Sequence, residues 1–332
     1  MNLEERSSLL QKLAIYLDNK DNKELNEVKQ TAYEKNKWFT EEFINLALKN
    51  IVTQYLDEEK LKAWVEYYRL DDNISPKTIG VVMAGNIPIV GFHDFLTVFI
   101  SGHHQHIKLS EKDDVLLKHI LEVMTGWNPE MAEVVRIMPM LKGCDAYIAT
   151  GSNNSSRYFN YYFGRFPSVI RTNKTSVAVL DGTETPEELS LLADDVYTYF
   201  GLGCRNVTKI YVPKGYDFIP LIEAFKKYDY FGDQTKYKNN YDYNLALFLM
   251  NNHFYMSNEG IVLVENDNIF SAVSVLHYSF FEDIDLVHQG LLGLENIQCV
   301  VGHGHLPFGT SQVPALFDYA DGVDTMQFLL SL

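Results

Sequence analysis

The sequence predicts an α/β chain: two doubly wound α/β domains with an N-terminal helical layer. Three observations predict it. From residue 78 onward, short β-rich apolar runs alternate with helical stretches, and Gly stands at the ends of the runs. Buried parallel strands wound with helices read this way. Residues 1–70 contain no Gly or Pro and are rich in Leu, Glu, Lys and Ala, so they read as helix throughout. The length of 332 residues, at roughly 150 per domain, gives about two domains.

Taken in order, Thr40 followed by Glu41 and Glu42 predicts a capped helix start with an acidic first turn. Phe43, Leu46, Ile51 and Tyr55 then share one face. Asp57, Glu58 and Glu59 precede a further helix through Trp64 and Tyr68. After Asn-Ile-Ser-Pro at 73–76, residues 78–86 read as a buried strand ending in Gly-Asn. A helix follows from Ile89 to about Ser101, then a strand at 103–109, then a helix over 110–126 capped by Ser110. VVRIMPM and DAYIATGS supply two more strands. The alternation resumes with a strand at 176–182, a helix at 185–201 and a strand at 207–215. Residues 227–243 are polar, Tyr-rich and read as irregular. GIVLVEND, SAVSVLHY and IQCVVG are the last three strands.

Composition excludes several functions. The 28 basic against 44 acidic residues give a net charge of −16, which opposes nucleic acid or an anionic membrane as main partner. No apolar run reaches the length of about 18 residues that a membrane span needs. The amphipathic, acidic N-terminus is no signal peptide. Three cysteines without metal-type spacing exclude a disulfide framework and a structural zinc site. A reducing cytoplasm is the expected compartment.

Four motifs are candidates for chemistry. Cys204 lies in Phe-Gly-Leu-Gly-Cys-Arg-Asn, between a predicted helix and a predicted strand. Gly201 and Gly203 allow close approach of a ligand and leave the thiol uncovered, and Arg205 favours the thiolate. A small buried cysteine in a turn is the competing reading; Cys144 and Cys299 are read as structural. Gly80 to Gly85 has P-loop spacing, but Asn86 and Ile87 replace Lys-Ser/Thr. Gly201, Gly203 and Asn206 fail the dinucleotide fingerprint at its third glycine. His103, His104 and His106 lack a neighbouring carboxylate and do not read as a metal site, whereas an acid/base role is conceivable for His303 or His305. Lys108 and Glu111 at a strand end could hold the two hydroxyls of a ribose, although a solvated strand end explains them as well.

As an ordered set these motifs resemble the aldehyde dehydrogenase superfamily. Asn86-Ile-Pro resembles its Asn-aromatic-Pro motif, and Lys108-Leu-Ser110-Glu111 its Lys-Pro-Ser-Glu. Ala149-Thr150-Gly151-Ser152 is similar to its Phe-Thr-Gly-Ser, Phe200-Gly-Leu-Gly-Cys204 to its Gly-Gln-x-Cys, and Pro307-Phe308-Gly309 to its Pro-Phe-Gly-Gly. The resemblance implies Rossmann-like domains, Cys204 as nucleophile and Asn86 as oxyanion donor. It implies Lys108, Ser110 and Glu111 at the adenosine ribose, and Gly151 and Ser152 at the nicotinamide end of the cofactor. One departure matters. The Glu that activates water in the hydrolytic members corresponds to Ile170. Without that base an acyl-enzyme should not hydrolyse efficiently. GNIPIVGFHDFL, IATGSNNSSRYFNYYFG, YFGLGCRN and the terminal DYADGVDTMQFLL resemble more closely the acyl-CoA reductases of the bioluminescence, LuxC-like type.

That resemblance implies reduction of a long-chain acyl-CoA, or an acyl-protein thioester, to the aldehyde with NADPH. NADH is the alternative donor, which the carboxylate of Glu111 would suit. Another NAD(P)-dependent aldehyde dehydrogenase, or a non-catalytic acyl- or nucleotide-binding subunit, are the competing functions. The expected division is 1–168 for the helices and cofactor domain, 169–305 for the thiol-bearing domain, and 306–332 returning to the domain interface. A homo-oligomer is left open.

Overall fold

The computed structural model describes all 332 residues, Met1–Leu332. They form two compact units, one of residues 1–173 with 314–332 and one of residues 174–313.

The first unit opens with α1 (Leu3–Asp18), α2 (Lys23–Lys35), α3 (Glu41–Asn50) and α4 (Glu58–Tyr68). Thr40 caps α3 by accepting from the Phe43 N–H, and Asp57 caps α4 by accepting from Lys60. Between them Ile51–Tyr55 is a π-helical turn. The wound part runs through β1 (Thr78–Val82), α5 (Phe92–Ile100), β2 (His104–Lys108), α6 (Val115–Trp127), α7 (Met131–Val134), β3 (Val135–Ile137), β4 (Ala146–Thr150), α8 (Asn153–Phe163) and β5 (Ser168–Arg171). The sheet order is β3-β2-β1-β4-β5, all parallel. Ile79, Val81, Ile107 and Ile148 fill its interior with no exposed area. Connections wind one way from β1 to β3 and the other way from β4 to β5, so the sheet has a switch point between β1 and β4.

The helix expected from Ser110 starts only at Val115. Residues 110–113 form a turn in which Ser110 Oγ accepts from the Lys112 N–H, and Asp113 is buried.

The second unit contains β6 (Thr175–Val179), α9 (Pro186–Tyr197), β7 (Val207–Pro213), α10 (Ile219–Phe225), α11 (Thr235–Met250), β8 (Met256–Ser257), β9 (Val262–Glu265), β10 (Val275–Phe281), α12 (Ile284–Leu291) and β11 (Ile297–Gly302). Its sheet has the order β11-β6-β7-β10-β9-β8, parallel except for β8. The segment expected to be irregular at 227–243 is ordered: a 3-10 stretch leads into α11. Gln234 caps that helix, and its buried stripe is Tyr237, Tyr241 and Asn244, polar-tipped residues at helical spacing. Tyr237 donates to the Gly260 carbonyl and Tyr241 meets Ser257 Oγ, so burial leaves neither hydroxyl unpaired.

The unit bounds differ from those expected at both ends. β5 pairs with β4 (Thr150 opposite Arg171), so the first unit runs on to Asn173. Residues 306–313 stay with the second unit, and the chain rejoins the first at Pro314. There α13 (Thr325–Leu330) is preceded by Tyr319, whose hydroxyl accepts from Trp64 Nε1 at 3.0 Å, and by Asp324, which accepts from Tyr68 at 2.6 Å.

Candidate active site

The carboxyl edge of the first unit's sheet carries Asn86, Lys108, Ser110, Glu111, Gly151 and Ser152. Val82 is opposite Lys108 on one side and Ala149 on the other. The loop with Asn86, the segment 108–111 and the turn 151–152 therefore leave the sheet along one edge, around the switch point. Ligands of open α/β sheets bind there. Asn86, Lys108, Glu111 and Ser152 are exposed, while Ser110 and Gly151 are half-buried. The Met83 N–H donates to the Lys108 carbonyl at 3.0 Å, which joins the first two segments. Ser152 caps α8 by accepting from the Ser155 N–H. A Cβ on Gly151 would lie 2.8 Å from Phe159 and 3.0 Å from Ser155, so glycine lets the strand turn tightly into the helix.

Ile170 lies half-buried in β5, opposite Ala149, and no carboxylate stands at that position. The neighbouring Arg171 is buried, and its guanidinium donates to both oxygens of Asp94 at 2.7 and 2.8 Å and to Thr325 Oγ1 at 2.8 Å. The three histidines go separate ways. His103 accepts from the Lys77 N–H and donates to the Leu329 carbonyl, His104 is exposed, and His106 Nδ1 is 3.8 Å from the buried Cys144 thiol. Burial pushes the Cys144 thiol pKa up.

In the second unit Cys204 precedes β7, at the amino edge of the sheet. Tyr199 (φ 55°), Phe200 (φ 57°) and Gly201 (φ 74°) are three consecutive left-handed residues that lead into it. Each of the two non-glycine residues costs about 1–2 kcal/mol in this conformation. Two things offset that strain. Phe200 packs against Phe231 (ring centroids 4.4 Å) and Tyr237 (5.8 Å). Asn206, with no exposed area, accepts from the Gly203 N–H at 2.7 Å and donates to the carbonyls of Asp195, Val196 and Thr198. The amide thus ties the loop just before Cys204 to the end of α9. Ser176 Oγ donates to the Cys204 carbonyl at 3.2 Å. The same oxygen lies 3.0 Å from Cys299 Sγ, whose S–H then points at it. Cys204 itself is half-exposed.

Sequence reasoning met Asn206 only as a missing glycine. Its signal was a lone Asn directly before a strand, which is no signal without the fold. Asp195 was missed as well. Its buried carboxylate accepts from the N–H groups of Gly309 (2.7 Å) and Ser311 (2.9 Å), so it links the Pro307-Phe308-Gly309 segment to the helix that Asn206 clamps.

His303 does not act on this thiol. It follows β11 at the carboxyl edge of the sheet, where Gly302 is opposite Val179, on the order of 15 Å of strand from the amino edge. Its ring nitrogens meet Asp181 (2.8 Å) and Glu188 (3.0 Å), and those hydrogen bonds raise its pKa to about 9. Both ring nitrogens are thereby engaged by carboxylates. His305 lies 2.7 Å from His288 Nδ1, and burial lowers its pKa.

No protein-family model and no curated protein sequence matches the chain. Solved structures do. Succinic semialdehyde dehydrogenase from Streptococcus pyogenes, in complex with NADP+, superposes with a TM-score of 0.67 at 15% identity, covering 90% of this chain and 76% of that one. Aldehyde dehydrogenase 21 from Physcomitrella patens, in complex with succinate, gives 0.65 at 12%, with 91% and 74% covered. The NAD+ complex of aldehyde dehydrogenase from Bacillus cereus gives 0.62 at 13%, with 91% and 72% covered.

The chain has the aldehyde dehydrogenase fold. In this aldehyde dehydrogenase fold four of the five motifs matched in sequence fall at two sheet edges. The Asn86, Lys108 and Gly151 segments share the carboxyl edge of the first sheet, and the Cys204 loop stands at the amino edge of the second. The first edge fits a dinucleotide: it is a switch point, its α8 turn is pared to Gly-Ser, and Lys108 and Glu111 stand free of the core beside it. No helix is long and apolar enough to cross a membrane.

Proposed function

We propose that the protein is an acyl-CoA reductase that converts a long-chain acyl thioester to the aldehyde with NADPH, through an acyl-Cys204 thioester. The observation that supports this reading is a half-exposed thiol on a clamped loop, together with Ile170, paired in a strand, at the position that the sequence resemblance gives to the water-activating Glu. An acyl-enzyme without a base for water survives long enough to be reduced.

The Cys204 thiolate attacks the thioester carbonyl and forms the new C–S bond. The Asn86 side-chain amide and the Cys204 N–H donate to the developing oxyanion; one such donor contributes about 3–4 kcal/mol to lowering the barrier. Collapse expels the coenzyme A thiolate and leaves the acyl group on Cys204. Lys108, Ser110 and Glu111 hold the ribose of the cofactor, and Gly151 and Ser152 its nicotinamide end. Bound NADPH supplies the hydride that takes the acyl thioester to the aldehyde level. The Cys204 thiolate is then the leaving group and is ready for the next acyl donor.

Purified protein given a long-chain acyl-CoA should consume NADPH, read as loss of the nicotinamide absorbance, with NADH slower. Cys204→Ala should abolish the signal. Acid formation from an aldehyde and NAD+ in water, without coenzyme A, would overturn the choice of reductase.

A further inference from the structure

Asp113 is a buried titratable group of the first unit that the scheme above leaves idle. It closes the turn 110–113: its N–H donates to the Ser110 carbonyl at 3.0 Å, and the Lys112 N–H donates to Ser110 Oγ at 3.3 Å. Asn36 Nδ2 holds the Lys112 carbonyl from outside. The Asp113 side chain points the other way, into the loop that carries Asn86. Its carboxylate accepts from the backbone N–H groups of Ile89 and Val90. Ile89 is β-branched, buried and left-handed (φ 53°), a conformation that must be held by its surroundings. On the near side of Asn86 the contact is steric: a Cβ on Gly85 would lie 2.5 Å from Ser110 Oγ and 3.1 Å from Asp113 Cβ. Asn86 therefore stands between two anchors, and both belong to the segment 110–113.

We propose that Asp113 is a positioning residue: it fixes the 85–90 loop to the 108–113 segment, so that the oxyanion donor Asn86 and the ribose contacts Lys108, Ser110 and Glu111 are set as one piece. This rests on the function proposed above. Occupation of the ribose segment and the placing of the oxyanion donor are then coupled.

Burial pushes the Asp113 carboxyl up to about 7 against the two N–H bonds, which lower it. The like charge of Asp114 adds to the rise, and Asp114 is itself paired with Lys35 of α2 and Lys118 of α6. The folded pKa of this acid lies above its unfolded value near 4. The ionised form therefore weakens folding as pH rises from about 4 to 7. A neutral isostere is thus compatible with the fold. Asparagine keeps one acceptor oxygen where the carboxylate offers two, so it probes positioning without a cavity.

The test compares two reactions of Cys204 in wild type and Asp113→Asn at pH 8. Acylation by a long-chain acyl-CoA needs the oxyanion donor; alkylation by iodoacetamide develops no carbonyl oxyanion. Acylation should fall about tenfold to a hundredfold, below the loss for removing a donor outright. Alkylation and melting temperature should hold. Combined with Asn86→Ala, the Asp113 substitution should cost nothing further. Amide exchange of the 85–90 segment should quicken. Unchanged acylation, equal loss of both reactions, or additivity with Asn86→Ala overturns the proposal. Wild type that is never acylated overturns the functional reading instead, and unchanged amide exchange then separately overturns the anchor.

Discussion

The two units present their candidate functional side chains by different means. At the first sheet's carboxyl edge Asn86, Lys108, Glu111 and Ser152 are exposed on loops, and only one buried left-handed residue, Ile89, marks strain. At the second sheet's amino edge the approach to Cys204 is a run of three left-handed residues, held by a fully buried amide with four hydrogen bonds. Side chains that grip a ligand can be ordered by it. A nucleophile must be placed before the substrate arrives, because misplacement is felt in the rate. The second arrangement is the more expensive in backbone strain and the more rigid.

The largest effect on stability should come from the first unit. Asp94→Ala leaves the Arg171 guanidinium buried without its carboxylate, a loss of about 3–5 kcal/mol. Denaturant unfolding reads it, and alkylation of Cys204 in the remaining folded protein should keep its rate. Asn206→Ala comes next: it strands buried carbonyls and the Gly203 N–H, for a loss of about 2–4 kcal/mol. It should also change the alkylation rate of Cys204, which Asp94→Ala does not. If the two variants alter thiol reactivity equally, the contrast between the units is wrong. Gly201→Ala, at φ 74°, should cost about 1–2 kcal/mol and act on the same loop. His303→Gln is the smallest. The raised pKa of His303 stabilises fully below about pH 6.5 and is lost as pH rises through about 9. Because the ring is 40% exposed, the effect at pH 7 is about 1 kcal/mol or less. Melting temperatures of variant and wild type should converge by pH 10.

The same contrast explains what could be read from sequence. Most strands of both sheets, though not β5 or β8, were legible because buried parallel strands are apolar runs, and the α3 start because Thr40 and its acidic neighbours act locally. The Gly-Leu-Gly-Cys turn was visible through its glycines. Asn206 was not, since an Asn becomes a clamp only once α9 and β7 bring three carbonyls to it. Asp113 sits in Lys-Asp-Asp, which reads as a solvated helix start; tertiary packing alone turns one of those carboxylates inward. The helix α11 escaped because its buried stripe is Tyr, Tyr and Asn rather than aliphatic. β5 was cut from its sheet because strand pairing, not composition, assigns it to the first unit.

The most direct measurement is the mass of the Cys204 peptide after incubation with an acyl-CoA of defined chain length and no NADPH. The account predicts one acyl group on Cys204, stable in water and discharged as aldehyde when NADPH is added. An unmodified Cys204, an adduct on Cys144 or Cys299, or release of the acyl group as free acid in water would contradict it.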